Sequence, residues 1–159
     1  MSNETGVMNI ARSLEGQWYN VCTEVDGEPV DQAHSVIEMR DNEFKAEQDG
    51  NVTYRGTYTV GPISEDGRSQ YHITLFSKES VNHLSLGGSR PGLFQISGET
   101  LKTVYAGVGQ PAPRQFNTYG GCDLVLTHSR RLGAERLNPP RARCFAVRVR
   151  LHPVTNASA

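Results

Sequence analysis

At 159 residues the chain can build one domain with its own core but not two comfortable ones, and 36% hydrophobic residues with a mean hydropathy of -0.49 suit a small all-β protein with a polar outer face. The net charge of -1 divides into -7 over residues 1–128 and +6 over residues 129–159, where seven arginines face Glu135 alone. Such a basic end either folds back on the acidic body or meets an anionic partner, and no run approaches the roughly 18 apolar residues of a membrane span.

Residues 1–14 open with neither a basic start nor an apolar run, so no signal peptide is expected. Val7, Ile10 and Leu14 have helical spacing, which predicts one short helical turn, too short to stand alone. From Gly16 the period changes to two. Gln17–Val25 is the first strand-like run and ends at Asp26-Gly27, a hairpin signal. Ser35–Arg40 ends at Asp41-Asn42, and Glu43–Gln48 ends at Asp49-Gly50-Asn51. Val52–Val60 alternates most clearly, with Val52, Tyr54, Tyr58 and Val60 on one face and Gly56 among them marking a bend or close packing. Gln70–Ser77 follows, then a polar, glycine-bearing stretch at 78–90. Pro91–Ile96 and Thr100–Tyr105 flank Ser97-Gly98-Glu99 as a hairpin. A second long loop, Gly107–Thr118, leads to the eighth run, Cys122–His128.

Eight short runs without a crossover helix predict an all-β fold, an eight-stranded antiparallel up-and-down barrel. Closure also removes exposed strand edges. A two-sheet sandwich of the same strands is the alternative. The expected organisation is a lead-in at 1–13, the barrel at 14–131 and a basic extension at 132–159. Within that extension Arg143–Leu151 alternates and reads either as a ninth strand or as a disordered tail.

Several pieces of the chain carry a resemblance. They are Leu14-Glu15-Gly16-Gln17-Trp18, Glu24-Val25-Asp26-Gly27, Gly56-Thr57-Tyr58, the run Gly92–Leu101, Pro113-Arg114-Gln115-Phe116, and the closing Leu124, Leu126 and Arg130. In order and spacing, residues 14–131 resemble a lipocalin-like domain family best known from planctomycete bacteria. The resemblance implies an eight-stranded calyx and brings no established activity. It also implies that Trp18 plugs the closed end beneath an arginine from the last strand. Arg130 is the first choice for that partner and Arg131 the second. A guanidinium over an indole is held by cation–π attraction. If the terminal strands pair near Trp18 and His128, Cys22 comes close to Cys122.

The expected function is binding of a small, largely apolar molecule in the calyx. Tyr54, Tyr58, Tyr71, Tyr105 and Phe94 are the expected apolar walls with orienting hydroxyls. Asn20 and Cys22 share strand parity with Trp18 and point inward with it unless a bulge breaks the parity. Arg114 is expected at the mouth as an anchor for a carboxylate or phosphate, against the reading of a solvated loop charge. An isomerase or cyclase using the same pocket, with His72 or His128 as acid or base, is one alternative. An interaction protein docking through its arginine-rich end is the other. The five histidines show no metal-type clustering, so neither metal nor cofactor is expected. Nucleic acid is not expected either, because the arginines lack interleaved aromatics. Three cysteines give no disulfide framework, and a reducing cytoplasm is the expected location.

Overall fold

The computed structural model describes residues 3–30, 35–63, 70–80, 88–118 and 124–133. Among them one helix, α1 (Asn3–Leu14), precedes nine strands. These are β1 (Gly16–Val25), β2 (Glu28–Val30), β3 (Ser35–Arg40), β4 (Glu43–Gln48), β5 (Asn51–Ile63), β6 (Tyr71–Ser80), β7 (Ser89–Ser97), β8 (Thr100–Tyr105) and β9 (Val125–Arg131). Eight of them, all but β2, form a closed antiparallel barrel in chain order, because β9 pairs back onto β1. Trp18 faces Ile37 across one edge of β1 and Arg131 across the other. No sandwich has that pairing. β2 is a three-residue ribbon beyond the Asp26-Gly27 turn that pairs only with Thr23, Glu24 and Val25.

The tight turns explain why neighbouring strands pair in register. Asp26 and Gly27, Asp41 and Asn42, and Asp49 and Gly50 all hold positive φ, as a two-residue hairpin turn requires. Strands β1, β4, β6 and β8 run away from the Trp18 end of the barrel, and β3, β5, β7 and β9 run towards it.

The Trp18 end is filled. Leu14, Trp18, Met39, Phe44, Tyr58, Ile73 and Phe94 are buried there, with Ile10 of α1 packed against them. Where one helical turn was expected, α1 has twelve residues. Docking explains the difference: a helix of this length is marginal alone, and its Leu14 is completely buried with Ile10 packed against the same cluster. Trp18 Nε1 donates to the Leu14 carbonyl at 2.8 Å. The arginine above Trp18 is Arg131, not Arg130. Its guanidinium lies 4.1 Å from the indole centroid and donates to the carbonyls of Ser13 and Glu15 at 2.7 and 2.8 Å. It therefore closes the C-terminus of α1 and covers the indole together. Arg130 pairs with Tyr19, points outward and is exposed.

The outer wall carries a second apolar cluster of Leu93, Val104 and Leu126, with Phe116 and Leu124 against it. The 106–118 loop folds along this wall. Lys102 Nζ sits 5.0 Å from the Phe116 ring centroid, Thr118 Oγ1 donates to Glu24, and the Gly27 amide donates to Thr118 Oγ1 at 3.0 Å. The stretch from Arg143 to Leu151 lies outside the described residues.

Candidate functional site

Between the Trp18 plug and the opposite end the barrel is hollow. The cavity measures about 390 Å³. Its floor is apolar: Trp18, Met39, Phe44 and Leu101, with Ile37 beside them, and Leu75 stands in the wall across from Arg90. One wall, on β8, β9 and β1, is polar. There Thr103, Thr127, Ser129 and Asn20 point inward. The hydroxyls of Thr103 and Thr127 hydrogen-bond each other, and Asn20 Nδ2 donates to Thr23 Oγ1. Ser35, Gln48, Arg90 and Val125 lie at the strand ends farthest from the floor.

Tyr105 stands in this wall. Its ring lies against Gly92, its cross-strand partner, where an added Cβ would come within 2.6 Å of the ring. Burial pushes the phenol up to about 12, opposed by the nearby Arg90 charge and a hydrogen bond with Thr103. The phenol is therefore a neutral polar group at any ordinary pH. Burial likewise raises Tyr58.

The residues expected to form the site divide. Asn20, Tyr54 and Tyr105 line the cavity with Trp18. Tyr58, Tyr71 and Phe94 belong to the packed core, Tyr71 and Phe94 stacked at 5.6 Å, and none of the three lines the cavity. Cys22 faces the other way. The β1–β9 register shifts between Asn20 and Cys22, so Asn20 and Thr23 both turn inward while Cys22 pairs with His128 on the outer wall. This bulge breaks the parity on which an inward Cys22 depended. The register also differs from the expected one: Trp18 faces Arg131 rather than His128. Cys22 is disulfide-bonded, which three cysteines gave no reason to expect, and the other two cysteines lie outside the described residues. Arg114 is exposed on the loop along the outer wall and does not line the cavity. His72 pairs with Leu93 and faces outward like it.

Arg90, the charged residue among the described lining, lies one position before the Pro91–Ile96 run that the sequence predicts, since β7 starts at Ser89. Its signal was present: Arg90, Gly92, Phe94 and Ile96 share one parity. Among the described residues no group of three or more His, Cys, Asp or Glu is placed to hold a metal ion, and no helix is long and apolar enough to cross a membrane. A closed eight-stranded antiparallel barrel is consistent with a lipocalin-like fold. No protein-family model, curated protein or solved structure matches the chain, so the resemblance to the planctomycete-type family gains no support there.

Proposed function

We propose that the protein is a lipocalin-like container that binds a small, largely apolar molecule inside its barrel. The observation that carries this reading is the cavity of about 390 Å³ with an apolar floor and one polar wall. That size falls within the roughly 300–1,000 Å³ of small-molecule sites. Apolar burial supplies the affinity, and Asn20, Tyr54 and Tyr105 orient the guest. A preformed wall keeps the ordering cost of binding low.

The test is titration with the neutral apolar probe N-phenyl-1-naphthylamine. Saturable one-to-one binding is expected in the wild type. Ala46→Phe, which pushes a ring into the cavity, should remove binding while leaving the melting temperature within a few degrees. An absent signal in the wild type, or an unaffected Ala46→Phe variant, would defeat the reading.

The isomerase alternative gains no specific observation, since His72 and His128 both face outward. An anionic partner for the arginine-rich end stays a proposal outside the described residues. Deleting residues 132–159 tests it, because partner capture should be lost with the barrel's melting temperature nearly unchanged. Cytoplasmic placement sits uneasily with the bonded Cys22, because disulfides persist mainly in oxidising compartments.

A further inference from the structure

Among the described residues that line the cavity there is no Asp, Glu, Lys or His. Arg90 is the one permanent charge among them. The residue is half-buried. Its Nε donates to the Ala106 carbonyl at 3.0 Å, and its Cζ lies 5.9 Å from the Tyr105 ring centroid. Those two contacts engage Nε and one face of the group, and no hydrogen bond of Nη1 or Nη2 is formed among the described residues. Among the described side chains no carboxylate is paired with it; the ion pairs there belong to Arg40, Lys45 and Arg131. A cation withdrawn from water without a counter-ion is costly, and an arriving anion removes that cost.

Resting on the cavity-binding reading above, we propose that the guest is a singly charged anionic amphiphile, an apolar chain ending in a carboxylate, with its head on Arg90 and its chain on the Trp18 floor. One guanidinium edge matches the planar carboxylate with two parallel hydrogen bonds. A phosphate monoester brings about 1.5 to 2 negative charges and finds one cation among the described residues of this wall. The neutral Tyr105 phenol and the threonine hydroxyls solvate the head without repelling it. Charge and shape thus point the same way: head towards the strand ends, tail towards the floor.

The experiment compares dodecanoate with dodecanol at pH 8, each displacing N-phenyl-1-naphthylamine from the full chain. The two guests share a chain and differ in the charge of the head. Wild type should take the carboxylate about tenfold more tightly or better, the scale of a charge-assisted hydrogen bond. Arg90→Gln should erase that preference and still bind dodecanol, which also shows that the variant folds. Arg90→Lys should keep part of the preference. Equal affinity for the two guests in the wild type overturns the proposal and leaves cavity binding standing. So does a preference that survives Arg90→Gln, since it would come from exposed arginines such as Arg114. If neither guest displaces a bound probe, the proposal falls alone; if the probe itself never binds, both readings fall.

Discussion

A Cβ on Gly16 would lie 2.8 Å from an Nη atom of Arg131, and Gly16 holds a φ of +126° that side chains rarely adopt. The glycine two residues before Trp18 thus makes room for the guanidinium that covers the indole. Arg131 also anchors the end of α1 and approaches Glu99 at 3.6 Å, so its loss removes several contacts together. Arg131→Ala should cost about 1–3 kcal/mol in urea unfolding, whereas the exposed Arg130→Ala should stay within about 0.5 kcal/mol. Equal costs would mean that the arginine at the plug is misassigned. Tyr105 gives a second residue-level expectation. Its folded value of about 12 lies above the ordinary phenol range near 10, so between those limits the native state holds a proton that the unfolded chain has released. The stability present below pH 10 should therefore fall as pH rises through 12, by on the order of 2 kcal/mol from this group. Tyr105→Phe should flatten that slope, with the raised Tyr58 keeping its own share. An unchanged slope would show that Tyr105 ionises as it would in water.

At the scale of elements, α1 has one face in the barrel end and one in solvent. Leu14 is fully buried while Met8 is 59% exposed. Leu14→Ala should cost about 2–5 kcal/mol by leaving a cavity against Trp18, and Met8→Ala should change little. Similar effects from the two would mean that the helix does not dock as described. The strands were readable because hairpin turns and period-two alternation are local signals. Asp26-Gly27, Asp41-Asn42 and Asp49-Gly50 each mark a real turn. The full length of α1 was hidden because its apolar face is narrow and its stability comes from a barrel end built by residues far along the chain. The bulge in β1 was equally hidden. Val21 and Cys22 look like any other strand residues, and only pairing with β9 shows where the extra residue falls.

At the scale of the whole molecule, closure joins residues more than a hundred positions apart. Arg131 reaches Ser13, and the Leu132 amide donates to the Gln17 carbonyl at 2.9 Å. The disulfide at Cys22 bears on where this molecule works. Protein blocked with N-ethylmaleimide at lysis should show one alkylated cysteine, with two more labelled only after reduction. Three cysteines labelled at once would show that the native compartment keeps Cys22 reduced, in line with a cytoplasmic setting.

The sequence by itself determined the strand runs, their turns and the antiparallel meander, because alternation and turn chemistry act between near neighbours. It also singled out Trp18 and an arginine pair at the far end. Only the tertiary structure decided which arginine covers the indole, since Arg130 and Arg131 differ by one strand position and the register alone sets which of them turns inward. The same holds for the site. Tyr54, Tyr58, Tyr71, Phe94 and Tyr105 are alike as sequence, yet the tilt and stagger of a closed barrel send Tyr58, Tyr71 and Phe94 into the packed core and leave Tyr54 and Tyr105 at the cavity. Arg90 became part of that wall because β7 begins two residues before Pro91 and carries its side chain inside.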